Sequence, residues 1–459
     1  MGEFNEMGND KISKLLVKFS LPAIVGMLVN ALYNVVDSIF VGRGVGDLAL
    51  AGITVSLSLM TTFMACVMLV GMGATSLISI RMGERKGEEA EKIIGNALVL
   101  FLIIGAVLTV LGLIFLEPIL TLFGASPDVM PYALDYMRII LLGSVFMAIG
   151  LGMNNFIRAE GNPKIAMNTM LIGAITNIIL DYIFIFIFKW GIKGAAFATI
   201  LSYTVTSSWV LYHFLVGNSK LKIKVENLRL DKLMVKGILL IGFPTFVMQI
   251  TSSMQHLILN RSLAHHGGDL ALAAVGIFMS VSTLLVMPSM GIIHGAQPII
   301  GYNYGAKRYG RVKDTLKLAI ISATSIVTLG YLASILWPIQ LISLFNENPE
   351  LIKLGTHAMG IFFKFLPLIG VQLMSASYFQ AVGKPRQATL LSLSRQVFIF
   401  IPLLVILPMR WGLEGIWWSS PISDIAAFAV TGIWLLVEIR YLNTSEALHN
   451  KKNPKEIRV

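Results

Sequence analysis

The hexapeptide Gly46-Asp47-Leu48-Ala49-Leu50-Ala51 returns unchanged as Gly268-Asp269-Leu270-Ala271-Leu272-Ala273, 222 residues later. A chain that repeats itself at a long fixed period builds one structural unit twice, so the period constrains the architecture before any motif is weighed. Other landmarks keep the spacing: Pro22 and Pro244, Gly83 and Gly305, Leu122-Phe123 and Leu344-Phe345, Pro127 and Pro349. Ala159, Gly161 and Pro163 likewise match Ala381, Gly383 and Pro385. Toward the end the offset slips to 221, where Trp190-Gly191 and Gly194 meet Trp411-Gly412 and Gly415.

The repeated unit is apolar. Of 459 residues, 56% are hydrophobic and only 13% charged, a composition whose solvent must be largely lipid. Crossing the roughly 30 Å hydrocarbon core takes about 20 apolar helical residues, because a helix satisfies all of its own backbone groups there. Apolar runs between charged or turn-rich breaks predict six spans at 15–40, 48–80, 93–116, 132–156, 166–188 and 192–216. Six more are predicted at 234–263, 270–300, 316–344, 351–381, 387–408 and 412–440. An even number of spans per half makes both halves enter the membrane from the same side, a parallel repeat. The expected fold is therefore an all-α integral membrane protein with twelve transmembrane helices in two six-helix bundles around a central cleft. Its expected divisions are an N-terminal lobe at 1–216, a linker at 217–233, a C-terminal lobe at 234–440 and a tail at 441–459. The first apolar run is too long for a signal-peptide core and is kept as span one. With Cys66 the single cysteine, no intrachain disulfide or cysteine metal site is expected.

The formal charge of +11 invites a nucleic-acid reading, which the positions of the basic residues oppose. They gather in alternate loops: Lys11, Lys14 and Lys18 before span one, Arg81, Arg85, Lys86 and Lys92 after span two, Arg158 and Lys164 after span four. The series continues with Lys220 to Lys236 after span six, Lys307 to Lys317 after span eight, and Lys384 and Arg386 after span ten. Under the positive-inside rule both termini are cytoplasmic.

Features needed only to build the unit should recur in both halves, so the unrepeated ones are candidates for chemistry. Asp37 in span one has Leu259 as its repeat partner, and Asp181 in span five meets Pro402 or Leu403. An Asp at membrane depth costs roughly 2.5 to 3.5 kcal/mol by insertion scales and therefore faces a cavity with a partner. Tyr33 and Asp37, and Asn177 and Asp181, are i and i+4 pairs on single helix faces, and Thr199 on span six offers a further oxygen. Two carboxylates, an amide, a phenol and a hydroxyl without a fixed positive charge form a cation site, for a proton shared between the acids or for Na⁺. A local hydrogen-bonding role for Asp37 near the end of its span is the plainer alternative.

These residues resemble the multidrug and toxic compound extrusion family, in its bacterial branch of DinF-like and MepA-like proteins. The likeness runs over essentially the whole chain. It rests on the twelve spans in two halves, the Pro22 to Asp37 stretch, Arg158-Ala159-Glu160-Gly161-Asn162-Pro163, and Asn177 to Asp181 followed by Gly191 to Thr199. The resemblance implies a secondary active antiporter of a bacterial inner membrane, exporting bulky, often cationic or aromatic drugs or toxic metabolites in exchange for H⁺ or Na⁺ by alternating access. It implies cation coupling at Asp37, Asn177, Asp181 and Thr199, with Tyr33 and Asn154 around them. It also implies bending of span one at Pro22, although Pro244 in the matching place makes a plain packing kink equally consistent. Asp424 in span twelve is the one deep acid of the second half.

Met60, Met64, Met68 and Met72 recur every four residues, and Met287 and Met290 lie in span eight. Flexible thioethers suit promiscuous apolar ligands, and also ordinary bundle packing. Met64, Met287 and Gln255 are taken as candidate substrate contacts, while Arg395 and Lys364 are expected to snorkel or to meet lipid head groups. No cofactor beyond the coupling ion, no nucleic-acid partner and a monomer in membrane lipid are expected. A flippase of a lipid-linked amphiphile is the alternative transporter, and it would favour a strongly cationic cavity. No metal-spaced histidines or activated nucleophile point to an enzyme.

Overall fold

A computed structural model describes residues 2–345 and 348–452, and among these the regular structure is helical without a strand. Among the described residues ten helices are long and apolar enough to cross a membrane: Ile12–Gly44, Asp47–Gly83, Gly87–Ile114, Pro163–Ile187, Ile192–Leu215, Lys232–Gly268, Leu270–Gly305, Tyr309–Leu336, Pro385–Trp411 and Leu413–Leu448. Two bent pairs complete the expected twelve, Met130–Leu142 with Ser144–Ala159 and Pro349–Phe362 with Pro367–Ala381. In chain order these are spans one to twelve, the bent pairs being four and ten.

The bends, 61° and 54°, depart from the straight spans expected at 132–156 and 351–381. In span ten the second helix starts at Pro367, which lacks the N–H that would continue the helical ladder back across the break after Phe362. In span four the break falls at Gly143, where a Cβ would lie 2.6 Å from the Ile200 side chain. The glycine thus admits span six closely at the cost of helix continuity. Pro338 likewise closes span nine at Leu336 and starts a separate short helix, Pro338–Ser343.

The turns repeat as faithfully as the helices. Left-handed backbone occurs at Gly46 and Gly268, at Gly161 and Gly383, and at Gly191 and Gly412. It also occurs at Arg85 and Lys307, which are non-glycine residues at matching positions.

Packing divides the described chain into two compact units whose limits fall inside helices. The first contains Val25–Gln249, and so takes the leading part of span seven. Here a Cβ on Gly73 of span two would lie 2.0 Å from the Ile238 carbonyl oxygen, and one on Gly242 would lie 1.6 Å from that of Leu69. Spans two and seven therefore touch backbone to backbone, as small residues permit within membranes. The second unit contains Glu6–Ile24 with Ile250–Val459, and takes the leading part of span one. Its Gly295, the repeat mate of Gly73, meets Ser20, the mate of Gly242: a Cβ there would lie 2.7 Å from the Ser20 nitrogen.

The segment ahead of each exchanged helix is fastened too. In the first unit the Asn96 side chain accepts from the Asp231 N–H at 2.7 Å, and Glu91 pairs with Lys224 at 2.6 Å. Fully buried Glu160 accepts from Asn162 at 2.9 Å and also meets His213 and Ser219, pinning the start of the linker to the turn after span four. In the second unit Arg308 donates to the Gly8 carbonyl at 2.6 Å and Arg311 to the Asp10 carbonyl at 2.7 Å. These guanidinium groups satisfy carbonyls at the end of a short leading helix, Gly2–Asn9.

Candidate functional site

In the first unit Asp181 is the last residue of the α-helix Pro163–Asp181, and a π-helical stretch, Tyr182–Ile187, follows at once. Such stretches carry an extra residue per turn and often mark functional positions. Here the wide turn packs on span one through Phe40, whose ring lies 5.5 Å edge-on from Phe186 and 6.4 Å from Tyr182. That packing brings Asp37, one turn before Phe40, beside Asp181. Asp181 is 0% exposed, Asn177 2% and Thr199 7%. Asn177 Nδ2 donates to Thr199 Oγ1 at 3.5 Å, near the limit for a hydrogen bond.

What this cluster lacks is a donor. Asp37 Oδ1, both Asp181 oxygens and Asn177 Oδ1 are buried and receive no hydrogen bond from the protein. Burying unmatched acceptors is costly, and two carboxylates side by side repel. A proton on one of them, or a small hard cation among these oxygens, removes both penalties. Among the described residues no three His, Cys, Asp or Glu side chains gather as a metal-binding group. The donor set is one of oxygens.

Two tyrosines belong to the site that sequence reasoning passed over. Tyr203 lies near Tyr33 and Asp37, and buried Tyr136 lies near Thr199. Both are unrepeated, with Asp424 and Ala358 in the matching places, so the test that found the acids would have found them.

The other candidates are more scattered. Asn154 is buried in the second part of span four with its amide oxygen also without a donor, and no hydrogen bond joins it to either acid. Met64 is exposed on span two, while Met72 of the same stripe is buried. Half-buried Gln255 and Met287 lie in the second unit, as does buried Pro22, through which the first helix runs unbroken.

The later charges correct an expectation. Arg395 does not snorkel: its Nε and Nη2 both meet Asp424 Oδ1 at 2.9 Å, so the deep acid of span twelve has a fixed counter-ion. Lys364 sits over the Trp418 ring at 5.0 Å.

Comparison with known proteins matches this architecture. The MatE family profile matches residues 22–183 and again 244–406, the two matches starting one repeat apart. The multidrug export protein MepA of Staphylococcus haemolyticus (strain JCSC1435) is 29% identical over 418 residues, covering 91% of this chain and 92% of its own. MepA of Staphylococcus aureus (strain MSSA476) is 28% identical, covering 95% and 97%. Among solved structures, the MATE multidrug transporter DinF-BH, solved as a ligand complex, is 40% identical with a TM-score of 0.89, covering 95% of this chain and 97% of its own.

Proposed function

The chain belongs to the MatE family of multi-pass membrane transporters, and on that footing we propose that it is a secondary active multidrug efflux antiporter, expelling bulky, often cationic or aromatic compounds in exchange for H⁺ or Na⁺. The observation that carries this reading is the pairing of half-buried Asp37 with buried Asp181, where Asp37 Oδ1 and both Asp181 oxygens are shielded from solvent and find no donor in the protein. An exchangeable cation there neutralises the pair, and its departure restores two negative charges in a buried place. Each step changes which conformation is cheaper, which is what coupling by alternating access requires. Asn177 and Thr199 add neutral oxygens to the same cation, and Tyr33, Tyr203 and Tyr136 form the hydroxyl surround. Moving one charge through 100 mV supplies about 2.3 kcal/mol before any concentration gradient is added.

The curated relatives are named as multidrug exporters, and DinF-BH, a multidrug transporter, was solved with a ligand bound. Their substrate class is extended to this chain as part of the proposal. A flippase of a polyanionic lipid-linked substrate would favour a strongly cationic cavity, whereas Arg395 is paired with Asp424. The test is dye efflux from proteoliposomes driven by a pH gradient alone or by a Na⁺ gradient alone. Transport under one gradient identifies the ion, and the same flux in the absence of any gradient refutes coupling.

A further inference from the structure

In the second unit the copied scaffold carries charges that the first unit does without. In the first, Ser202 Oγ donates to the Gly173 carbonyl at 2.7 Å, and in the second, Ser423 Oγ donates to the Arg395 carbonyl at 3.1 Å. Ser423 is the repeat mate of Ser202 and Arg395 that of Gly173, so this is one backbone tie made twice. By the same register Asp424 stands where the first unit has Tyr203, and Ser420 where it has Thr199. The fold can therefore be built with a glycine and a tyrosine at these places. The arginine and aspartate serve something else.

Their geometry suggests what. Arg395 lies ten residues into span eleven, about 15 Å of helix from its start, too deep for the side chain to reach an interface. It falls within a π-helical stretch, Ser394–Phe400. Asp424 is 1% exposed and holds the guanidinium by its Nε side, while the Arg395 side chain remains 27% exposed. The hold is built from several elements: Gln372 donates to the Asp424 carbonyl at 2.8 Å, and neighbouring Gln396 donates to Ser252 at 3.1 Å. One aspartate oxygen, Oδ1, therefore accepts from Nε and lies 2.9 Å from Nη2. The remaining edge, with both N–H groups of Nη1 and the second of Nη2, has the fork geometry that matches a carboxylate with two parallel hydrogen bonds.

We propose that Arg395, held side-on by Asp424, is a recognition site for a carboxylate on an amphiphilic substrate, so that the transporter takes zwitterions as well as cations. The substrate part rests on the efflux reading, whereas the anion site stands on the second unit alone. Asp424 is a positioning residue that also cancels the arginine's charge when no anion is bound.

The test uses purified full-length protein in nanodiscs and a matched pair of dyes, a cationic xanthene ethyl ester and the zwitterion left when that ester is hydrolysed. Because Arg395→Gln alone strands a buried aspartate, the informative variant is the double one, Arg395→Gln with Asp424→Asn. Fluorescence polarisation is expected to give a zwitterion Kd about 10- to 100-fold weaker in the double variant, with the ester within about 2-fold. Arg395→Lys, a point charge without the fork, is expected to fall between. Unchanged zwitterion affinity, or equal loss for both dyes, overturns the proposal. A second probe is independent of drug transport: quenching of intrinsic tryptophan fluorescence by 2-naphthoate, compared with neutral 2-naphthylmethanol. If neither dye binds the wild type yet naphthoate binds and is lost in the double variant, the multidrug reading fails and the anion site survives. If naphthoate is bound no better than the alcohol, the anion site fails.

Discussion

Ser202 ties span six to a glycine in the first unit, and Ser423 ties span twelve to an arginine in the second. The first unit holds two acids whose buried oxygens lack a donor, Asp37 and Asp181, and the second holds Asp424 joined to its arginine. Duplicated backbone has thus been given two electrostatic solutions. An acid pair that lacks a protein counter-charge must borrow a mobile one, whereas an acid joined to arginine brings its own. On the proposed reading ion coupling belongs to the first unit, although the second also contains a deep carboxylate, Asp424.

The largest effect that would break this contrast comes from the acids themselves. Asp37→Asn and Asp181→Asn are each expected to reduce gradient-driven dye efflux in proteoliposomes by about 100-fold or more, the range for loss of an essential proton-transfer group. Asp424→Asn is expected to leave the response to the gradient in place. Coupled flux that survives both first-unit substitutions would remove the distinction.

Next in size is the fixed pair. Arg395→Gln leaves Asp424 buried and uncompensated, at a cost of about 3 to 5 kcal/mol, read as a fall in thermal midpoint in detergent. Adding Asp424→Asn should recover most of that loss. Equal instability of the single and double variants would mean that the ion pair does not hold the second unit together.

The remaining two tests ask whether the scaffold really is shared. Gly73→Ala and Gly295→Ala should each destabilise by about 1 to 3 kcal/mol, since the added methyl meets neighbouring backbone in both units. Ser202→Ala and Ser423→Ala should cost about 1 kcal/mol each and, within error, the same amount. A marked inequality within either pair, again measured by thermal unfolding, would show that the repeat is looser than its hydrogen bonds suggest.

Much of the fold was legible because lipid allows so few solutions. An apolar run of helical length has one use there, and glycines and prolines at left-handed turns and helix starts cannot drift, so the 222-residue offset survives where most other residues differ. Asp37 and Asp181 were legible as failures of that offset. The bend at Gly143 was not, because a glycine within an apolar run reads equally well as a tolerated helical residue, and only the approach of Ile200 decides. Nor was the bond between Arg395 and Asp424, which joins two helices 29 positions apart in a way no periodicity encodes. Tyr136 and Tyr203 are equally unrepeated, with Ala358 and Asp424 in the matching places, but aromatic residues abound in such chains and hide them.

The exchange of leading segments bears on the order in which the protein is made. Synthesis runs from the N-terminal side, so the first unit can close as soon as span seven has emerged as far as Gln249. The second cannot follow the same schedule. Glu6–Ile24, made before every other part of its unit, must wait in the membrane until Gly295 and Arg311 arrive to receive it. A segment that leaves the ribosome early is thus among the last to find its neighbours, and neither repeat by itself encodes a complete unit.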